Sequence, residues 1–246
     1  MKRAILPFLF LVSYLFGGDK GFLIGFAQDT MSNDWRVAQV KEVEKELSKY
    51  PNIEFIYTDA DGDFAKQASN IEELVARGVD LIITSPKDSK AMTPLLKKVY
   101  EKGIFIVLLS RGIVGDFYSS FIRSDNKKIG KESAIFIAES LKGKGDIFIL
   151  QHTPTTTPAQ ERTQGFLEEI KNYPDIKIVD MKVANSLRSE AIIATEEAIK
   201  NGLHFDAIYA QSDSMASGAI IALKKNNIDP SSIVITGIDY ISEARE

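Results

Sequence analysis

Short apolar runs alternate with segments of helical periodicity along most of the 246 residues, and this alternation restricts the fold more than any other feature. The apolar runs are continuous, as in parallel strands that are covered on both faces. They predict strands at 22–27, 53–58, 81–84, 105–109, 120–122, 146–150, 176–183, 207–210 and 233–236. Apolar residues at helical spacing predict helices near 35–50, 64–75, 89–102, 126–141, 160–172, 187–200 and 214–225. The order of elements predicts an α/β fold with right-handed crossovers.

The alternation of strands and helices starts again after the short strand that ends at residue 122. Segments 80–88 and 206–213 resemble each other, since both contain an acidic residue, a strand, a polar turn and the start of a helix. We therefore predict two similar, doubly wound lobes with parallel sheets. The N-terminal lobe is predicted to cover residues 19–122, and an incomplete C-terminal lobe residues 123–246.

The first eighteen residues have the pattern of a secretory signal peptide. A basic start, Met1-Lys2-Arg3, precedes an apolar run at 4–16. The run is shorter than the roughly 20 residues that a membrane-spanning helix needs. We predict a periplasmic protein with a signal peptide at residues 1–18. Because Phe16 lies where a small residue usually precedes cleavage, an uncleaved membrane anchor is kept as the alternative.

The composition argues against most enzyme and nucleic-acid functions. The chain has no cysteine, only two histidines and a net charge of −4, so thiolate chemistry and a basic surface for nucleic acid are excluded. No phosphate-binding loop or nucleophile–base pair is apparent. We expect no catalysis, no metal, no cofactor and no nucleic-acid partner. An α/β enzyme that uses loop carboxylates and the core of a transcription regulator are the less favoured alternatives.

An acidic cluster around Gly62 has two interpretations. Asp59, Asp61 and Asp63 invite a calcium site, but their spacing does not match that of a calcium-binding loop. We expect these carboxylates to form a turn and to cap the helix that starts near Asp63.

Polar and aromatic side chains follow the carboxyl ends of several predicted strands, and open α/β sheets bind ligands at that edge. Trp35, the only tryptophan, comes after the first strand, and Arg111 follows the fourth. Arg162 and Asp239 follow strands of the second lobe. An aromatic face suits the C–H side of a sugar, and planar polar groups suit its hydroxyls. These residues therefore indicate a sugar site.

Seven motifs in order between about residues 22 and 239 resemble the type I periplasmic sugar-binding proteins, particularly the ribose and galactofuranose branch. The motifs are Asn33-Asp34-Trp35-Arg36, Asp59-Ala60, Leu109-Ser110-Arg111, Ser124-Asp125-Asn126, 161–166, 209–218 and Gly237-Ile238-Asp239. The resemblance implies two lobes that close over a sugar. It places the ligand against Asn33, Trp35 and Arg111 of the first lobe and against Arg162, Ser212 and Asp239 of the second.

The resemblance also implies a function and partners. We expect a monomeric, extracytoplasmic solute-binding protein that captures a pentose-like or furanose-like sugar for the membrane permease of an ABC-type importer. The alternative is the ligand-sensing domain of a receptor histidine kinase or chemoreceptor, with a sugar or a furanosyl autoinducer as ligand.

Three departures from the family pattern affect these expectations. Ser110 and Ser212 replace the Asp and Asn that the family usually has, so the set of hydroxyls that is recognised differs. Without a carboxylate at Ser110, Arg36, Arg111 and Arg162 are expected to make the cleft more cationic, which keeps an acidic sugar or a boron-containing furanosyl autoinducer as ligands. The family usually continues beyond Gly237-Ile238-Asp239, so we expect a truncated chain with an exposed sheet edge.

Overall fold

The computed structural model describes residues 21–241, and the predicted signal peptide lies outside the described residues. Within them the strands are β1 (Phe22–Gln28), β2 (Ile53–Asp59), β3 (Leu81–Thr84), β4 (Phe105–Leu109), β5 (Ser120–Ile122), β6 (Lys144–Gln151), β7 (Asp175–Val183), β8 (Ala207–Ala210) and β9 (Val234–Thr236). The α-helices are α1 (Asp34–Leu47), α2 (Phe64–Ala76), α3 (Ser89–Glu101), α4 (Asn126–Ser140), α5 (Thr157–Ile170), α6 (Arg188–Lys200) and α7 (Asp213–Lys225). No helix in this part of the chain is both long enough and apolar enough to cross a membrane.

The strands form two separate sheets, and every pairing in both is parallel. The first sheet has the order β2-β1-β3-β4-β5, and the second has the order β7-β6-β8-β9. The predicted α/β fold of two similar parallel-sheet lobes is confirmed. We call β1–β5 with α1–α3 the first lobe, and β6–β9 with α4–α7 the second lobe. The exact division after residue 122 stays a prediction.

Both sheets are covered on both faces, which explains their continuous apolar strands. In β1, Phe26 packs with Val40 on one face, whereas the neighbouring Ala27 packs with Ile71 on the other. In β6, Phe148 and Ile149 likewise belong to clusters on opposite faces. Strands β1 and β6 therefore each contribute to two cores, as the sequence pattern predicts.

Short polar side chains begin several helices at the carboxyl edges of the sheets. The Lys66 amide donates to Asp63 Oδ1 at 2.7 Å, so Asp63 caps α2 as expected. Asp61 pairs with the ammonium group of Lys66, and Asp61 and Gly62 both have positive φ. The cluster around Gly62 thus forms the predicted turn.

Helices α4 and α5 approach each other closely at two glycines. A Cβ atom at Gly130 would lie 2.1 Å from the Arg162 carbonyl oxygen, and one at Gly165 would lie 2.0 Å from that of Lys127. Only glycine allows the two backbones to lie this near to each other. The crossing fixes the position of α5 and therefore of Arg162, which α5 carries.

The carboxyl edges of the two sheets face each other, and several hydrogen bonds join the lobes. The Asn33 side chain donates to the Ser186 carbonyl at 2.7 Å, and Thr155 Oγ1 donates to the Lys87 carbonyl at 2.8 Å. The Gly112 amide donates to Thr157 Oγ1 at 3.0 Å. These contacts hold the lobes against each other and leave little space between them.

Candidate ligand-binding cleft

Two adjoining cavities lie between the lobes at the carboxyl edges of the sheets. The inner cavity is small, about 20 Å³, and the outer cavity measures about 480 Å³. Trp35, Ser110, Arg162 and Asp239 line both. The inner cavity brings together six of the residues that the sequence indicates, namely Asn33, Trp35, Arg36, Ser110, Arg162 and Asp239.

In the first lobe, one buried carboxylate lies between two arginines. Asp29 follows β1 directly, and its Oδ2 accepts a hydrogen bond from Arg111 Nη1 at 2.5 Å, while Arg36 Nε lies 3.4 Å from its Oδ1. Burial alone would raise the pKa of Asp29, but Arg111 and Arg36 outweigh it and lower that pKa. Burial also lowers the pKa of Arg36, to about 10, with a further contribution from Arg111, so both groups are charged at neutral pH.

In the second lobe, Arg162 has three partners of its own. Its Nε donates to Asn126 Oδ1 at 2.9 Å, and its Nη1 donates to the Gln211 carbonyl at 2.5 Å. Its Nη2 lies 4.0 Å from Asp239 Oδ1. The guanidinium group is held in one orientation, with one edge towards the cavity that it lines with Asp239.

Asp239 lies in a constrained loop after β9. Its φ of 120° is outside the usual range of residues with side chains, and the loop is held by Asp213, whose amide donates to the Ile238 carbonyl at 2.8 Å. The Ile241 amide donates to Asp213 Oδ2 at 3.0 Å. Burial raises the pKa of Asp239 to about 6, with Arg162 opposing the change and Asp213 adding to it.

The arginines that are expected to make the cleft more cationic have carboxylates beside them. Three carboxylates accompany the three guanidinium groups of the cleft. They are Asp29 beside Arg36 and Arg111, and Asp213 and Asp239 near Arg162. Position 110, after β4, holds no carboxylate, but Asp29 supplies one from the end of β1, on the other side of β3.

Asn33 and Trp35 occupy the start of α1 in different roles. Asn33 caps the helix, since its Oδ1 accepts the Arg36 amide hydrogen at 3.3 Å, and its amide nitrogen reaches the second lobe at Ser186. The side chain of Trp35 is only partly buried and lines both cavities, so its ring is available to a ligand.

Two of the indicated residues do not line either cavity. Arg111 is 2% exposed and is directed to Asp29. Ser212 is 1% exposed and caps α7, its Oγ accepting the Met215 amide hydrogen at 3.3 Å. A role for these two in binding stays a prediction.

The structure adds residues that the sequence analysis did not select. His152, Pro158 and Ser186 line the inner cavity, and Gln39 and Asn126 line the outer one. His152 and Asn126 were noted in the sequence, after a strand and within a family motif, but nothing in the sequence separates them from surface residues. Away from the cleft, Asp146, His204 and Asp206 form a partly exposed group whose ligand atoms lie within 4.8 Å of one another.

Two parallel sheets whose carboxyl edges enclose a polar cleft define a class, the two-lobed type I binding proteins. The chain belongs to the family described as periplasmic binding protein domain, whose model matches residues 24–246. The predicted membership is confirmed.

Individual relatives are named as sugar-binding proteins rather than enzymes. The ribose import binding protein of Bacillus subtilis (strain 168) is 29% identical over 93% of this chain and 73% of its own length. The galactofuranose-binding protein of Escherichia coli (strain K12) is 31% identical over 87% of this chain and 69% of its own. A solved structure, the fructose binding periplasmic domain of a hybrid two-component system, is 36% identical with a TM-score of 0.84, covering 89% of this chain and 73% of that one.

Proposed function

We propose that this protein captures an uncharged, pentose-like or furanose-like sugar between its two lobes outside the cytoplasm. The proposal is carried by Trp35, Arg162 and Asp239, which line both the small inner cavity and the adjoining outer cavity of about 480 Å³. The tryptophan offers a face for the C–H side of the sugar, and the charged groups offer planar donors and acceptors for its hydroxyls. Relatives named for ribose and galactofuranose support this ligand class.

The balance of charge in the cleft favours a neutral ligand. Asp29, Asp213 and Asp239 offset Arg36, Arg111 and Arg162, so an acidic sugar would bring an unpaired charge into a buried site. Desolvation of an unpaired charge is costly. We therefore infer that the site prefers a sugar without a carboxylate.

Binding is expected to act through closure of the lobes. The inner cavity is bounded by Asn33 and Arg36 from the first lobe and by Arg162 and Asp239 from the second, so a ligand contacts both sets only when the lobes are closed. Its higher affinity for the closed form shifts the population towards that form.

For the physiological role, we infer delivery to the permease of an ABC-type importer, with the protein in the periplasm as a monomer that has no catalytic activity. The name of the ribose import relative supports this role. The alternative is a sensor of a receptor kinase, which the 36% identity to the fructose-binding domain of a hybrid two-component system favours. Sugar uptake and sugar-induced transcription, measured in a strain without this chain, separate the two roles.

The test is a titration of tryptophan fluorescence. Trp35 is the only tryptophan and lines both cavities, so its emission reports on the cleft. We expect a saturable change with one of D-ribose, L-arabinose, D-fructose or D-galactose and none with D-glucuronate. Arg162→Ala should weaken binding by about 1.5–3 kcal/mol, as for a hydrogen bond to a charged group. The surface variant Arg77→Ala should bind normally. A folded protein without a response to any neutral sugar contradicts the proposal.

A further inference from the structure

His152 is a buried histidine that no part of the proposed closure uses. It follows β6, is 6% exposed and lines the inner cavity beside Asn33, Arg36 and Arg162. Its backbone amide donates to Gln211 Oε1 at 3.1 Å, which fixes the main chain at this position. The hydrogen bond to Gln211 therefore fixes the backbone of His152, and the residue lines the inner cavity.

The hydrogen bonds of the ring determine which of its nitrogens carries the proton. His152 Nδ1 accepts a hydrogen bond from the Thr153 amide at 2.6 Å, so Nδ1 has no proton. The neutral ring then carries its proton on Nε2. Burial lowers the pKa of His152 well below its usual value, and Arg111, Arg162, Arg36 and Lys87 lower it further. Asp239 lines the same cavity, but the pKa of His152 stays lowered in its presence.

The Nε2–H group of this ring has no acceptor among the described residues. Every other polar contact of His152 is accounted for by Thr153 and Gln211. His152 as a residue is 6% exposed, so its unpaired ring donor finds an acceptor only in water or a ligand within the cavity that the residue lines. The inner cavity, about 20 Å³, has room for roughly one hydroxyl group or water, and a sugar in the adjoining outer cavity can direct a hydroxyl into it.

We propose that His152 is a specificity-determining residue that donates its Nε2–H to one hydroxyl oxygen of the bound sugar. The inference rests on the proposed sugar-binding function and deepens it. The group at this position must be an acceptor that can lie beside guanidinium groups, such as a sugar hydroxyl or ring oxygen. Replacement of that oxygen by hydrogen leaves the donor unpaired, so the deoxy sugar binds more weakly than its parent.

The experiment compares His152→Leu with His204→Leu in the full chain. His204 is the only other histidine, and its side chain is 77% exposed. Calorimetric titration uses whichever of D-ribose, L-arabinose, D-fructose or D-galactose binds the unmodified protein, together with its monodeoxy analogues. We expect His152→Leu to weaken binding about fivefold, the scale of one neutral hydrogen bond, and His204→Leu to leave it unchanged.

The deoxy analogues separate a ligand contact from a structural role. One analogue should bind the unmodified protein about fivefold more weakly than its parent sugar but bind His152→Leu as well as the parent does. Equal losses for that analogue in both proteins overturn the inference while the proposed function stands.

A second measurement does not depend on the fold of the variant. In the unmodified protein, a ¹⁵N-labelled imidazole signal, assigned to His152 by its persistence in His204→Leu, should show a protected Nε2–H once sugar is bound. A signal that stays unprotected at saturating sugar contradicts the inference. Absence of binding by every sugar in the panel instead overturns the proposed function, and the inference with it.

Discussion

Asp29 lies behind the cavities, where its two carboxylate oxygens face different arginines. Arg111 donates to one oxygen, and Arg36 approaches the other. All three side chains are at most 4% exposed. Removing one member of such a buried group leaves the remaining charges without compensation.

We predict that Asp29→Asn destabilises the protein by about 3 kcal/mol, because two buried guanidinium groups lose their counter-charge. Urea-induced unfolding, followed by circular dichroism, measures this change. Asp61→Asn is the matched control, since Asp61 pairs with Lys66 on the surface and its loss should hardly matter. Equal midpoints for both variants would contradict the assignment of Asp29 as the counter-charge.

Ionisation of Asp239 should affect stability and sugar binding in opposite directions. As the pH rises, the folded state loses stability and sugar binding becomes stronger. Its pKa is raised to about 6 in the folded protein, above the value of 3.8 that an unperturbed group has. Its protonation therefore favours the folded state below about pH 4, and this contribution is lost as the pH rises through 6. Sugar binding that uses the ionised carboxylate as an acceptor should instead weaken as the pH falls below 6.

Dissociation constants measured between pH 5 and 8 test this prediction. In Asp239→Asn the dependence on pH around 6 should disappear, because the amide does not titrate. A pH profile that is unchanged in this variant would assign the transition to another group.

The sequence indicated most of the cavity residues because the carboxyl ends of parallel strands meet at one edge. That rule brought Trp35, Arg36 and Arg162 together correctly. It could not tell a residue that faces the cavity from one that faces inwards, so Ser212 was included although it caps a helix. His152 and Asp29 were not selected because their roles depend on neighbours from other strands.

At the level of elements, α4 and α5 depend on glycines for their close packing. In an ordinary helix, Gly→Ala stabilises by up to about 1 kcal/mol through helix propensity. At Gly165 the added methyl group would lie 2.0 Å from the Lys127 carbonyl oxygen, so the sign should reverse.

We predict that Gly165→Ala lowers the free energy of unfolding by about 1–3 kcal/mol, the range for overpacking. Thermal unfolding measures the effect. Gln164→Ala, at the exposed neighbouring position of the same helix, should leave the melting temperature unchanged or raise it slightly. A higher melting temperature for Gly165→Ala would mean that α4 and α5 can move apart without loss of stability.

Most elements could be predicted from the sequence because a buried parallel strand and an amphipathic helix have different periodicities. The start of α5 was not. The spacing predicts a start near residue 160, whereas the helix begins at Thr157. Pro158 lies in its first turn, where proline is tolerated because its missing amide hydrogen would have no partner there.

At the scale of the whole molecule, one interlobe hydrogen bond contributes to the closed form without involving residues that line the ligand cavities. Thr155 Oγ1 donates to the Lys87 carbonyl, and neither residue lines either cavity. Loss of this bond should favour the open form by about 1 kcal/mol. Because the open form binds poorly, the apparent affinity for sugar should fall.

We predict that Thr155→Val weakens sugar binding about fivefold and slows closure, measured by stopped-flow tryptophan fluorescence. Thr93→Val is the matched control, since the Thr93 hydroxyl donates to the Ser89 carbonyl within α3. An unchanged affinity in Thr155→Val would show that this contact does not bias the opening of the lobes.

Two lobes and their parallel sheets were predictable because the pattern of elements restarts after residue 122. The direct bonds between the lobes were not predictable, since Asn33 and Ser186 are 153 residues apart and no local pattern links them.

The position of Asp29 has an evolutionary consequence. This carboxylate balances two arginines from behind the cavity, where it does not line the space for the ligand. The uncharged residues at the cavity wall, such as Ser110 and Trp35, can therefore be exchanged one at a time without leaving a buried charge uncompensated. Substitutions at Ser110, His152 or Trp35 are expected to change which sugar is bound while the protein stays folded. Sugar specificity can then evolve through single substitutions.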